Sequence, residues 1–421
     1  MDLLKFCEDL YEIPRSLTGK GVIKSLEYIQ KIIPIEIKKV KSGTKVFDWT
    51  VPPEWNIRDA YIIDLESGKK IVDFKKHNLH VMGYSEPINK TFSYEKLLHH
   101  LHFLEDQPNA IPYLTSYYSK NWGFCISYND FKKINKSSKF KVFIDSDFNE
   151  KGELAYGELL IKGQVKQEIF FSSYICHPQM VNNELSGPAV LTGIANSLLK
   201  KKNYYSYRFV LTPETIGSIA YISKNLKSLK DNVIGGYNIT CVGDEKNWGL
   251  VPSRYENNIS DNIAKHVLAI NHPNFIKYSW LDRGSDERQY CAPGVDLPIS
   301  SITRSKYGEF PEYHTSLDNF DLVTEKGLND SLEIYLKCID IFEKNISYPK
   351  INVLCEPQLG KRGLYPQIST KNQNHDIRNM MNFISYCDGK NSILDIANLC
   401  NIDFFECYKF YKKLNNEGLF E

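Results

Sequence analysis

His177, Glu214, Asp286 and His314, with Asn183 and Glu184, are the residues whose types and spacing could do chemistry together. His177 closes an apolar run (Ile169, Phe170, Phe171, Tyr174, Ile175) and stands directly before Pro178. Proline cannot donate to a sheet ladder, so the run reads as a buried strand ending at His177. Asn182, Asn183 and Glu184 follow in a polar loop, and Ser186-Gly187 opens a helix of small and apolar residues. Pro213-Glu214-Thr215-Ile216-Gly217-Ser218 sets a carboxylate after a second strand. Gly284-Ser285-Asp286-Glu287-Arg288 places another in a loop, and Glu312-Tyr313-His314 puts a second imidazole before the last long helix. Zinc takes imidazole nitrogens and carboxylate oxygens, and a catalytic zinc keeps one position for water. A carboxylate that is not itself a ligand then serves as general base. Taken singly, each piece has a plainer structural reading: a satisfied loop histidine, a turn asparagine pair, a helix-start glutamate. Their conjunction along one sheet edge, where open α/β sheets bind ligands, points to a metal site. Arg304, closing the run Ile299-Ser300-Ser301-Ile302-Thr303, and Tyr313 are candidates for holding a substrate carboxylate; a solvated arginine is the plainer reading.

The elements that must position these residues follow from the pattern around them. Between Phe124 and Phe342 strands alternate with helices: 140–144, 157–161, 170–175, 207–211 and 233–239 as strands, and 187–200, 217–227, 257–270 and 324–344 as helices. That alternation predicts an α/β fold with a mainly parallel, doubly wound sheet. Two amphipathic helices open the chain, and Arg15-Ser16-Leu17-Thr18-Gly19 between them is a cap or a site element, the cap being the plainer reading. From residue 36 short alternating runs broken by Pro52-Pro53 and Gly68 predict a small β-rich insertion, in which Trp49, Trp55, Tyr61 and Trp122 read as core rather than as a substrate wall. The expected organisation is an α/β domain of residues 1–35 and 123–345, an inserted β-rich domain 36–122, a Pro/Gly linker 346–374 and a winged-helix-like domain 375–421.

Composition narrows the function classes. The hydrophobic share of 42% and charged share of 24% are those of a globular protein, and the net charge of +1 gives no field to draw nucleic acid or membrane. From Asp388 onward the tail carries four lysines, no arginine and six carboxylates, which argues against DNA and for a protein contact or homo-oligomer contact. The ten cysteines form no CxxC pair, which predicts free thiols in the cytoplasm, and no apolar run is long enough for a membrane span.

The ordered motifs resemble those of the zinc aminopeptidases of the bacterial leucyl-aminopeptidase and glutaminyl-cyclase type. That family's pattern is strand–His, D-N-x-S-G, E-E-x-G, S-D-H and Y-H-T/S-x-x-D. Here it reads His177, Asn183-Glu184-Leu185-Ser186-Gly187, Glu214-Thr215-Ile216-Gly217, Ser285-Asp286-Glu287 and Tyr313-His314-Thr315-Ser316-Leu317-Asp318. The whole chain resembles more specifically the aminopeptidase-like proteins found near bacterial polysaccharide-biosynthesis genes, with a nested β-rich domain and a C-terminal winged helix. The resemblance implies His177, Asp286 and His314 as zinc ligands, Glu214 as general base, and Asn183, Arg304 and Tyr313 near the substrate. It implies a hydrolase acting on an amide bond of a small peptide-like or amino-acyl substrate. Two departures bear on this. Asn183 replaces the family's bridging aspartate and Thr215 its second glutamate, which favours one zinc over two, with Glu184 as a replacement ligand. They also keep open a non-catalytic binding or regulatory protein linked to surface-polysaccharide biosynthesis.

Overall fold

The computed structural model describes residues 1–364 and 375–421. Its chain divides into two units, Met1–Asp261 with Ile276–Glu333, and Asn262–Phe275 with Ile334–Glu421. The first unit is built on an eight-stranded sheet. In sheet order its strands are Glu36–Lys41, Glu153–Ile161, Ser206–Thr212, Glu168–Tyr174, Val233–Asn238, Ile299–Thr303, Gly249–Val251 and Ile276–Lys277.

The four central strands run parallel. Glu36–Lys41, Glu153–Ile161 and Gly249–Val251 join antiparallel at the flanks. The sheet is therefore mixed, which corrects the expectation of a mainly parallel one. Parallel neighbours need a crossover, and helices Ser186–Leu198 and Ile216–Asn232 supply it only at the centre. Glu168–Tyr174 and Ser206–Thr212 are buried along their whole length, as two covered faces require. Phe171 stacks on Phe209 across them at 5.3 Å between ring centroids.

A second, four-stranded sheet has the order Lys70–Asp73, Glu54–Asp64, Lys139–Asn149, Ile88–Ser93, all antiparallel. The run 140–144, expected in the large sheet, belongs here. Its burial explains why: Phe140, Val142 and Ile144 are buried while alternate residues are not, the two-residue period of a sheet covered on one face. Conversely Glu36–Lys41, expected in the insertion, pairs with Glu153–Ile161 in the large sheet.

The second unit ends in three helices, His375–Ser385, Ile393–Cys400 and Phe404–Asn416, which bury Phe383, Ile396, Phe404 and Leu414. Ser392 and Asp395 cap the middle helix reciprocally, and Asp403 caps the last. Lys350 and Ile351 bridge to Asp388 and Phe420, so the stretch expected as a linker begins inside this unit. Residues 365–374 of that stretch lie outside the described residues. Among the described residues no helix is long and apolar enough to cross a membrane, and all ten cysteines are free of disulfides.

Candidate functional site

The central strand Glu168–Tyr174 runs into Ile175-Cys176-His177 and then into one turn of π-helix, Val181–Leu185, ahead of helix Ser186–Leu198. Such turns are rare and concentrate at functional sites. Asp318 holds this one. Its carboxylate accepts from the backbone N–H of Asn182 (2.6 Å), Asn183 (2.8 Å) and Val181 (3.3 Å). Burial pushes the Asp318 pKa up to about 7 against the pull of those three donors. Asn182 is structural: its side chain donates to Asp244 Oδ2 (2.9 Å) and accepts from Gly243 N–H (2.8 Å). Gly187 lets the helix start against the strand ends, because a Cβ there would lie 2.3 Å from Ser173 Oγ and 2.4 Å from the Ile239 carbonyl.

Glu184 serves His177. Its Oε2 accepts from His177 Nδ1 at 2.8 Å, and its Oε1 faces Arg15 Nε at 3.6 Å. Arg15 Nε also donates to the His177 carbonyl (3.0 Å), and Nη1 to the Leu10 carbonyl (2.5 Å). Both charged side chains are fully buried. With Nδ1 held by a carboxylate, His177 turns its Nε2 toward Glu214 Oε2, 3.6 Å away; against the effect of burial, Cys176 and Glu184 hold its pKa well above the ordinary imidazole range. Metal-ligating histidines are commonly oriented by a carboxylate in this way. Glu184, expected as a ligand in its own right, holds His177 through Oε2, while its buried Oε1 has no hydrogen-bond partner among the described residues. Arg15 lies in the stretch weighed as a helix cap or a site element, with the cap preferred; its contacts place it beside His177 and Glu184, and nothing local marks an arginine in a polar turn as buried.

Glu214 follows strand Ser206–Thr212, and its N–H donates to Cys176 Sγ at 3.3 Å. Burial pushes its pKa up, while His177 and Arg288 pull it down. The next residue, Thr215, donates its N–H to Asp286 Oδ1 (2.8 Å), which also accepts from Ser218 Oγ (2.9 Å). Burial and then the Glu214 charge push the Asp286 pKa up to about 7. Its Oδ2 is buried and has no hydrogen-bond partner among the described residues. The His314 ring stacks on Tyr313 at 3.9 Å, lies 5.3 Å from the His177 ring, and shares with it the edge of Tyr113. Burial, then His177, pushes the His314 pKa down to about 3, so the ring is neutral; its buried Nε2 has no partner among the described residues. Four non-glycine residues around these groups keep left-handed backbone: Tyr117 (φ 47°), Gln179 (φ 44°), Thr215 (φ 62°) and His314 (φ 55°).

A zinc ion can be tested against these groups. Among the described residues only Cys176, His177 and Glu184 bring three ligand-type atoms within 4.8 Å of one another. Burial pushes the Cys176 thiol up to about 11, so it is protonated rather than the thiolate a metal takes. His177, Asp286 and His314, expected to converge on one ion, are not drawn together to that distance. They nevertheless fit zinc in kind. His314 Nε2 and Asp286 Oδ2 are buried lone-pair donors without partners, and His177 Nε2 is aimed by Glu184. Asn183, expected near the substrate, has a buried Nδ2 without a partner among the described residues, and its Oδ1 lies 3.3 Å from the Tyr174 hydroxyl. Arg304 is turned elsewhere: its guanidinium lies over Trp248 at 4.3 Å and 3.8 Å from Asp330.

A cavity of about 360 Å³ opens beside Glu214 and Thr215, walled by Trp49, Tyr117 and Tyr118, with Arg288 at its side. Of the aromatics weighed in the sequence, only Trp49 lines it; Trp55 stacks on Tyr84, Tyr61 on Phe143 and Trp122 on His100.

Comparison with known proteins places this geometry. A family described as a domain of unknown function (DUF4910) matches residues 4–345, and a winged helix-turn-helix family matches residues 347–421. A Clostridium acetobutylicum protein, provisionally named a polysaccharide biosynthesis protein with aminopeptidase-like domain, is 45% identical over 404 residues, 96% of this chain and 92% of its own length. A crystal structure of a provisionally named peptidase from Clostridium acetobutylicum superposes with a TM-score of 0.93 at 43% identity, over 100% of this chain and 95% of that one. A zinc aminopeptidase of Bacillus subtilis shares the fold at a TM-score of 0.58 and 12% identity, over 81% of this chain and 94% of that one. The chain belongs to the aminopeptidase-like family described as domain of unknown function DUF4910, followed by a winged helix-turn-helix.

Proposed function

We propose that this protein is a zinc-dependent hydrolase of aminopeptidase type that cleaves an amide bond in a small peptide or amino-acyl compound. The observation that carries the reading is Glu214: a carboxylate on the cavity wall, 3.6 Å from His177 Nε2, with its pKa raised by burial. A carboxylate poised in this way suits a general base working near neutral pH. His177, Asp286 and His314 would hold the metal. Asn183 and Thr215 bring no charge, so the set suits one ion rather than two. Zinc, when bound, supplies Lewis-acid polarisation of the scissile carbonyl and of water. Glu214 takes the proton of the attacking water and returns it to the departing amine. Glu184 and Arg15 keep His177 in one orientation, and Tyr113 and Tyr313 pack the two imidazoles against displacement. The free thiols suit a reducing cytoplasm, and the acidic tail suits a protein or homo-oligomer contact rather than nucleic acid.

One observation favours a second reading, a non-catalytic binding protein serving surface-polysaccharide biosynthesis. Thr215 stands where the resembled family has an acidic residue, and Arg288 Nη2 donates to its hydroxyl at 2.6 Å, so a fixed cation borders the cavity. The two readings separate on leucine 4-nitroanilide and a panel of other amino-acyl anilides, assayed after zinc loading. The hydrolase reading expects turnover in the wild type and a fall of about 10²–10⁴-fold in Glu214→Gln with zinc content unchanged. Turnover equal in the two proteins removes Glu214 from catalysis, and none with any anilide favours the binding protein.

A further inference from the structure

Arg288 forms no ion pair among the described residues. It is half-buried in the wall of the cavity beside Glu214. Its Nη2 donates to a neutral hydroxyl, Thr215 Oγ1, at 2.6 Å. Its Nε is buried and has no hydrogen-bond partner among the described residues. Among the described residues no carboxylate comes within the 4.0 Å that defines an ion pair with it, although Glu214 and Asp286 both feel its charge. Removing a guanidinium from water is costly unless an anion and hydrogen bonds repay it, and here the protein repays little of it. The planar fork of arginine matches carboxylate and phosphate oxygens two at a time. A buried N–H on such a fork, not taken by a protein acceptor among the described residues, suits an oxyanion.

The rest of the cavity says what the oxyanion is attached to. Trp49, Tyr117 and Tyr118 stand 41%, 43% and 50% exposed around it, although rings of that size are normally more fully covered. The Trp49 and Tyr118 ring centroids are 6.2 Å apart, and Tyr118 is anchored by its hydroxyl to the Thr50 carbonyl at 3.1 Å. These are fixed apolar faces beside a fixed cation, in a volume of about 360 Å³ that is within the range of small-molecule sites.

We infer that Arg288 is a substrate-binding residue that pairs with a carboxylate or phosphate on a ring-bearing ligand, the ring lying against Trp49, Tyr117 and Tyr118. This names the ligand class for the site proposed above and rests on that reading for the ligand being a substrate; the binding itself does not. The pairing also gives the cation at Thr215 a purpose, which metal binding alone does not.

The test is calorimetric binding, without turnover, of two matched pairs. N-acetyl-phenylalanine against its amide keeps an aromatic ring and changes only the charge. Glucuronate against glucose does the same for a sugar ring. The wild-type protein is expected to bind the anion of at least one pair tenfold or more tightly than its neutral partner, and the pair that shows this identifies the ring. Arg288→Met is expected to erase the preference while still binding the neutral ligand within about twofold, which shows the cavity intact; Arg288→Lys is expected to restore part of it. Glu214→Gln is expected to keep the full preference, so an inactive protein still reports on the anion site. Equal affinity within both pairs, no binding of any of the four, or a preference that survives Arg288→Met overturns the assignment. Loss of all anilide turnover with the preference retained overturns only the hydrolase reading.

Discussion

Replacing Arg15 by methionine takes from the buried Glu184 charge its guanidinium at 3.6 Å and leaves it only His177, at 2.8 Å. The Leu10 and His177 carbonyls lose donors at 2.5 and 3.0 Å in the same step. Removing one partner of a buried pair costs about 3–5 kcal/mol, mostly because the charge left behind stays desolvated. The orphaned carbonyls belong to the same penalty and are not added separately, since effects within one network are not additive. Adding Glu184→Gln removes the stranded charge while keeping an amide oxygen to accept from His177 Nδ1. The double variant should therefore recover at least about 2 kcal/mol of the loss, a coupling in the upper part of the range for residues that share a network. Urea unfolding followed by tryptophan fluorescence reads this directly. The five tryptophans, at 49, 55, 122, 248 and 280, all lie in the unit that holds the pair, so the tail does not contribute to the signal. An Arg15→Met loss below about 1 kcal/mol, or a double variant whose loss is the sum of the two singles, would refute the claim that these side chains act as one unit.

Asp318→Ala should cost roughly 2–4 kcal/mol, read from the urea midpoint, because three buried N–H donors of the π-turn lose their acceptor together. The folded pKa of Asp318 lies above its unfolded value, near 7 against 3.8, so the native state holds this proton more tightly. Stability through this group is therefore greatest below about pH 4 and declines as the pH rises through 7, and Asp318→Asn should flatten that decline in a comparison of midpoints at pH 5 and 7.5. Gly187→Ala should destabilise by about 1–3 kcal/mol through contacts of 2.3 and 2.4 Å with its new methyl group, checked by the melting temperature. Zinc at a hundredfold excess over its dissociation constant should stabilise the wild type by about 2.7 kcal/mol, and His314→Ala should lose that increment in calorimetry.

Much of the α/β frame could be read in the sequence because its central strands hold apolar runs, Ile169-Phe170-Phe171 and Phe209-Val210-Leu211, and are buried along their whole length, as two covered faces require. The flanking strands were harder. Glu36–Lys41 carries charges along an exposed edge and reads like the β-rich segment after it, so only its pairing with Glu153–Ile161 assigns it. Lys139–Asn149 was misassigned to the large sheet because Val142-Phe143-Ile144 reads as an apolar run; only the burial of Phe140, Val142 and Ile144 against a half-exposed Phe143 shows a one-sided strand. At the site, His177 and Glu214 were legible because each ends a strand. The partners of His177 were not. Arg15 reaches it from 162 positions away, and a buried arginine leaves the same letter in the sequence as a solvated one. Glu184 was legible as a carboxylate in the right place, but whether it faces a metal or the back of an imidazole depends on the π-turn, which no local pattern specified. Arg288 was passed over because its loop drew attention to Asp286, two residues earlier.

The left-handed residues around the cavity bear on how this protein can be improved or can drift. A non-glycine residue in that conformation stores of the order of 1–3 kcal/mol, most where the side chain is β-branched, as at Thr215. Glycine would release that strain at Tyr117, Gln179 and Thr215 for an entropic cost of about 0.5–1 kcal/mol each. It would also delete a cavity wall at 117 and the hydroxyl that holds Arg288 at 215. A library selected for heat resistance alone should collect glycines at these positions, and one selected for ligand binding should purge them, so the two selections should pull the same residues in opposite directions.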